Sequence, residues 1–281
     1  MIFTRGCILI LFAISGILQA VAQNIVYEKE DSIFIEEIAG RHPYEKFQTR
    51  GDRAISIAKE FIGKEYVAGT LDRYASEPLF ISCTELDCTT AVELILAMAV
   101  SSESRFNDIY RTLEKIRYRN GIRNNYCSRL HYISWWIEDS EKRNIIREVQ
   151  TEKHIAEQLV ELNFMTRHPN SYPQLKSNPT LADSIAEYEK EFGCRAIKFI
   201  PKHMVKELRQ SEIKNGDIIA IVTNIKGLDV SHLGFAYWNN GVLHMIHASS
   251  SKKSVICDPQ PLHNYLENSS SSSGIRVFRA L

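Results

Sequence analysis

The segment Leu86-Asp87-Cys88-Thr89-Thr90-Ala91-Val92-Glu93, continued by the apolar run Leu94 to Val100, constrains the fold more than any other part of the chain. Asp87 suits a helix N-cap, where its side-chain oxygen can accept an N–H of the first turn. From Ala91 onward nearly every residue is apolar, and no polar stripe is left for solvent. A helix apolar on all sides belongs inside a domain. Cys88 then lies in the first turn of a buried central helix, where free N–H groups and the positive dipole end favour thiolate. The Asp87 carboxylate opposes this, so activation of the sulfur calls for an imidazole from elsewhere.

Two apparent strands supply imidazoles. Ser231 to Trp238 reads as a strand with His232, Gly234 and Ala236 on one face. The small residues on that face predict close packing of a helix, which would carry Cys88 to His232. Gly241 to Ser249 follows the turn signal Asn239-Asn240-Gly241, so the two strands are expected to form a hairpin. Strand alternation sends His244 and His247 to opposite faces, and only one of them can serve a given site.

Asp87-Cys-Thr-Thr90, Ser231-His-Leu-Gly-Phe235 and Ile246-His-Ala-Ser249, in that order, resemble the NlpC/P60 cysteine peptidase superfamily. Adding Tyr66-Val-Ala-Gly69-Thr-Leu71 and Ser128-Arg-Leu-His-Tyr132, the chain is similar to the superfamily's N-acetylmuramoyl-L-alanine amidase-like branch, formerly a domain of unknown function (DUF1460). The resemblance runs from about residue 60 to the C-terminus. It implies Cys88 as nucleophile, His232 as base and His247 as the residue that orients the base. It also implies Tyr66, Arg129, His131, Tyr132 and Ser231 as substrate-binding residues. From spacing alone, the aromatic cluster of residues 126–136 fits a partly buried surface strand equally well; arginine and aromatic rings also suit a carboxylate and a sugar face.

Lys and Arg number 34 and so do Asp and Glu, which gives no argument for nucleic acid or an anionic membrane surface as partner. Residues 1–22 read as a cleaved signal peptide: Arg5, the apolar stretch Cys7 to Leu18, and a small-x-small site at Ala20-Val21-Ala22. The stretch is short for a membrane span, so no stable anchor is expected after cleavage, and the expected location is periplasmic or secreted. Five cysteines would remain, Cys83, Cys88, Cys127, Cys194 and Cys257, an odd number that leaves at least one free thiol and room for a pair among the other four. A zinc site drawn from Cys83, Cys88, His232, His244 or His247 lacks the usual ligand spacings, and no metal or cofactor is expected.

Helical spacing marks residues 51–62, 103–118 and 181–192, and strands follow Pro201 at 217–223, 231–238, 241–249, 253–257 and 275–279. Helices first and strands after predict an α+β fold with an antiparallel sheet. The resemblance makes this a papain-like NlpC/P60 fold, a single catalytic domain over residues 23–281. About 100–200 would be a largely helical insertion on the substrate side, and the protein a monomer. The implied substrate is peptidoglycan or a muropeptide, cut at the amide between the muramic acid lactyl group and L-alanine. The alternatives are cleavage of the D-glutamyl–diaminopimelate bond, a thiol hydrolase or acyltransferase acting outside the wall, and a catalytically idle wall-binding protein.

Overall fold

The computed structural model describes residues 24–151 and 155–281. The signal-peptide segment and His154, read from sequence as a solvated histidine, lie outside them. The chain begins with strand β1 (Ile25–Val26), helices α1 (Lys29–Arg41) and α2 (Arg50–Glu60), and short strands β2 (Glu65–Tyr66), β3 (Leu79–Phe80) and β4 (Glu85–Leu86). Helices α3 (Cys88–Val100), α4 (Phe106–Arg117) and α5 (Ile133–Lys142) follow, then strands β5 (Ile146–Glu148) and β6 (Ala156–Glu161). Helices α6 (Phe164–Arg167), α7 (Pro173–Ser177) and α8 (Pro179–Phe192) lead to β7 (Cys194–Pro201). The C-terminal part is β8 (Ile218–Thr223), β9 (Val230–Asn239), β10 (Val242–Ser249), β11 (Ser254–Cys257), helix α9 (Leu262–Glu267) and β12 (Ser272–Ala280).

The main sheet has the order β4-β2-β11-β10-β9-β8-β12-β7-β6, with β5 also paired to β12. Its pairings are antiparallel except β2 with β4. The fold is α+β. Residues 140–200 are less helical than expected, because β5, β6 and β7 extend this same sheet. The cluster at 126–136 is not a strand. Tyr126–Ser128 is a single 3-10 turn capped by Asn125, and Ile133 starts α5.

Two apolar layers cover the sheet. On one face, Ile35 of α1, Ile57 of α2 and Leu94 and Met98 of α3 pack with Leu233, Phe235, Ile246 and Ala248. On the other, Val205, Leu208 and α9 residues Leu262 and Leu266 pack with Ile219, Ile221, Ala236 and Met245. Each such fully buried aliphatic side chain contributes roughly 1.5–3 kcal/mol relative to exposure. Residues Thr90 to Ala99 of α3 are all buried, as an all-round apolar helix requires.

This division corrects one expectation from the strand pattern. The small face of β9 does not receive the cysteine helix; α3 packs on the Leu233/Phe235 face. A Cβ added to Gly234 would lie 2.6 Å from Met245 Cγ and 2.9 Å from His247 Cβ. The glycine makes room for the neighbouring strand's His247. The turn between β9 and β10 uses Asn240 (φ 48°) and Gly241 (φ 78°), two consecutive left-handed residues as a tight hairpin demands.

Candidate active site

Asp87 caps α3 by accepting the Thr90 N–H at 2.8 Å, and Thr90 Oγ1 accepts the Asp87 N–H at 2.9 Å. This reciprocal box fixes the first turn and with it the direction of the Cys88 side chain. Strand β4 feeds directly into the cap, and β2 is clamped between β4 and β11, with Tyr66 opposite Leu86. Tyr66 is thereby held beside the cysteine: burial, then the Cys88 and Asp87 charges, raise its phenol pKa. The backbone N–H of Leu233, the residue after His232, is directed at the Cys88 sulfur.

His232 sits at the start of β9, just past an irregularity. Ile221 pairs with His232 but Val222 pairs with Val230, so Ser231 is the extra residue of a bulge. Bulges beside sites re-aim the next side chain. Ser231 itself is exposed, and its hydroxyl donates to the Ile221 carbonyl at 3.5 Å. His232 Nε2 lies 2.6 Å from His247 Nδ1, and His247 Nε2 lies 3.2 Å from Asp258 Oδ2. Tyr265 of α9 stacks on His232, ring centroids 6.2 Å apart and planes 25° apart, and meets His247 edge-on at 5.6 Å. Its phenol pKa is also raised, by burial first, then by the charges of Asp258 and Cys88, so this ring spans the histidines and the sulfur.

Burial and Asp87 push the Cys88 thiol up to about 11, against the lowering effect of the Leu233 N–H. Burial, then the neighbouring His247, push His232 down to about 3. Burial also lowers His247, opposed by Asp258. At neutral pH the resting arrangement is therefore a neutral thiol beside neutral imidazoles, not a preformed thiolate–imidazolium pair. The helix N-terminus does not overcome desolvation here.

The second group of expected residues has a different environment. Arg129, 7% exposed, donates from Nε to Glu77 Oε1 (2.8 Å), from Nη1 to Asp72 Oδ1 (2.8 Å), and from Nη2 to Glu77 Oε2 (2.8 Å) and the Leu71 carbonyl (3.0 Å). Its fork is filled by the loop that follows Tyr66. These acidic partners raise its pKa despite burial. Tyr132, 2% exposed, donates to Glu189 Oε1 at 2.6 Å and accepts the Met165 N–H at 2.8 Å. His131 Nε2 is 2.8 Å from the Tyr126 carbonyl, and burial and Arg129 lower its pKa well below the usual value. The structure thus sets Tyr66 and the Leu233 N–H at Cys88, joins His232 to His247, and builds Arg129, His131 and Tyr132 into the scaffold.

Asp258 and Tyr265 are the site residues that the sequence reading missed. Asp258-Pro259 looks like an ordinary turn after a strand, and Tyr265 lies in a short helix without a motif. The strand register held the only clue. With Ile246 opposite Cys257 on β11, the next residue, Asp258, falls beside the histidine strand. Cys83, although close to Cys88 in sequence, is tied to Asp31 of α1, its N–H bonded to Asp31 Oδ1 at 2.8 Å. Cys83, Cys88, Cys127, Cys194 and Cys257 are all free.

A family model described as AmiA-like, N-acetylmuramoyl-L-alanine amidase-like, matches residues 56–275. Among solved structures, an N-acetylmuramoyl-L-alanine amidase from Bacteroides uniformis is 34% identical, covering 83% of this chain and 99% of its own, with a TM-score of 0.78. A Bacteroides fragilis protein described as a putative xylanase is 40% identical, covering 79% of this chain and 98% of its own, with a TM-score of 0.74. A Legionella pneumophila protein of the DUF1460 family shares the fold at 24% identity, with a TM-score of 0.65 over 89% of this chain and 97% of its own. No curated protein matches. The extent of the family match and the near-complete coverage of the Bacteroides uniformis amidase establish that this chain belongs to the AmiA-like, N-acetylmuramoyl-L-alanine amidase-like family.

Proposed function

We propose that this protein is a secreted cysteine amidase of the NlpC/P60 type that cuts peptidoglycan fragments between the N-acetylmuramic acid lactyl group and L-alanine. The observation that carries this reading is the linked pair His232 and His247 on a hairpin whose Leu233 N–H is directed at Cys88, at the start of a buried helix, in a chain of an amidase-like family. His232 takes the Cys88 proton as the sulfur attacks the amide carbonyl, because thiol and imidazole are both neutral at rest. The tetrahedral intermediate collapses to a thioester as its C–N bond breaks and protonated His232 passes its proton to the leaving L-alanine amine. Water, deprotonated by His232, then hydrolyses the thioester. The Cys88 N–H at the helix start faces the developing oxyanion, and the Tyr66 hydroxyl contributes to substrate binding. Residues 23–281 act as one catalytic unit, without a cofactor and as a monomer. Among the described residues no helix is long and apolar enough to cross a membrane.

The description of the Bacteroides fragilis neighbour does not transfer. Glycoside hydrolysis places two carboxyl groups on either side of the scissile bond. The carboxylates next to this site are Asp87, which caps α3, and Asp258, which bonds His247. Incubation with purified muropeptides tests the proposal: new L-alanine amino termini support it. New diaminopimelate termini would establish the endopeptidase activity instead, and xylan hydrolysis with inert muropeptides would overturn both.

A further inference from the structure

We infer that Asp258 is a positioning residue that sets, through His247, which ring nitrogen of His232 is left bare to accept the Cys88 proton. This deepens the amidase reading and rests on it for its kinetic part.

Asp258 is held from several sides and is 7% exposed. Its N–H bonds the Met245 carbonyl at 2.9 Å, its own carbonyl lies 3.0 Å from His244 Nδ1, and its Oδ1 accepts the Gln260 N–H at 2.9 Å. Oδ2 remains for His247 Nε2, at 3.2 Å. A carboxylate only accepts, so His247 Nε2 must carry the hydrogen. In a neutral imidazole the other nitrogen is then a bare acceptor. That nitrogen, His247 Nδ1, is 2.6 Å from His232 Nε2, which must therefore be the donor. His232 in turn is left with a bare Nδ1. The rule propagates through two rings: one carboxylate at the far end fixes a base at the near end. Burial keeps His247 neutral, which the chain of donors requires. A charged His247 would point an Nδ1–H at His232 and reverse the pattern.

Asp258→Asn breaks the rule with little change of shape. Oδ1 must still accept from Gln260, so the amide NH2 replaces Oδ2 and donates to His247 Nε2. Both histidines then change tautomer, and His232 presents an N–H to the sulfur where a lone pair is needed. With a muropeptide substrate, kcat should fall about 10²- to 10⁴-fold, the range expected when an orienting carboxylate becomes an amide, while KM changes little. In a His247→Ala background no group relays position 258 to His232 Nε2. Adding Asp258→Asn there should cost less than about twofold. A merely structural Asp258 would give the same loss in both backgrounds, and that result overturns the inference.

Nitrogen-15 NMR of the ring-labelled free protein decides the tautomers without substrate. Protonated Nε2 on both His232 and His247, moving to Nδ1 in Asp258→Asn, supports the inference. Nδ1-protonated His232 in the wild type overturns it. If the wild type leaves muropeptides uncut, the amidase reading fails and the ring spectra alone decide this one. Asp258→Glu, which retains an acceptor, should keep the wild-type tautomers and serves as the check should the asparagine variant fold poorly.

Discussion

Two stretches of this chain both carry histidine and aromatic side chains, yet they are wired differently. In the β9–β11 region, polar groups form a line, Asp258 to His247 to His232, whose last member has a ring nitrogen to offer. In residues 126–132 Arg129 and Tyr132 form closed sets, Arg129 filled by Glu77, Asp72 and Leu71 and Tyr132 by Glu189 and Met165. His131 bonds the Tyr126 carbonyl through Nε2, and the buried Tyr126 hydroxyl has no partner among the described residues. A site needs a hydrogen-bond chain with an unfilled end; a scaffold needs every buried donor and acceptor matched. Residue density does not separate the two cases. Connectivity does.

The largest effect expected at the open end is that of Cys88→Ala, which should lower amide hydrolysis about 10⁴-fold or more with a nearly unchanged melting temperature. Near wild-type turnover in that variant would remove the contrast altogether. At the closed end the readouts reverse. Arg129→Ala leaves Glu77 and Asp72 without their cation, and Glu77 is almost wholly buried, its side chain 4% exposed. Denaturant unfolding should show a loss of about 3–5 kcal/mol, the usual cost of breaking a buried pair from one side. A stable variant with a raised KM would instead return Arg129 to the substrate pocket.

The pH dependence of stability follows from the open end. His232 in the folded chain resists protonation down to about 3, against an ordinary value of 6.5. Between these values the unfolded chain binds the extra proton. Its contribution to stability is thus complete above about pH 6.5 and declines as pH falls towards 3, with a slope of at most about 1.4 kcal/mol per pH unit. Cys88 acts at the other extreme, because its folded value near 11 exceeds the ordinary 9.0. Between pH 9 and 11 the unfolded chain loses its proton first, and stability declines as pH rises. Urea titrations across both windows measure these slopes, and Cys88→Ala should reduce the alkaline one by its own share, Cys83, Cys127 and Cys257 being raised by burial as well.

The smallest effects separate the two histidines of β10. His247→Ala should lower turnover tenfold or more, since His232 then spends less time aligned. His244 is on the opposite face, as alternation predicts, but it is not idle: its Nδ1 meets the Asp258 carbonyl at 3.0 Å. His244→Ala should cost about 1 kcal/mol of stability, one net hydrogen bond, and much less turnover than His247→Ala. Equal losses of turnover in both variants would mean that His244 supports Asp258 as strongly as His247 relays it.

The sequence by itself determined the elements whose stabilising contacts are local. The Asp87–Thr90 cap, the all-apolar α3, the Asn240-Gly241 hairpin and the opposite faces of His244 and His247 are readable because capping, turn strain and strand alternation act within a few residues. Sequence motifs likewise pointed to the family before any contact was known. Tertiary structure decided which nearby-looking residues are joined. Arg129 finds Glu77 and Asp72 at sequence separations of 52 and 57, and Tyr132 finds Glu189 at 57. No periodicity records such pairings. The bulge at Ser231, the register that sets Asp258 beside His247, and the layer of α9 that lays Tyr265 over the histidines arise only once the sheet has closed. The same holds for the protonation of Cys88. A helix N-terminus favours thiolate through local dipoles, but burial is a property of the whole fold, and in this site burial outweighs the dipole.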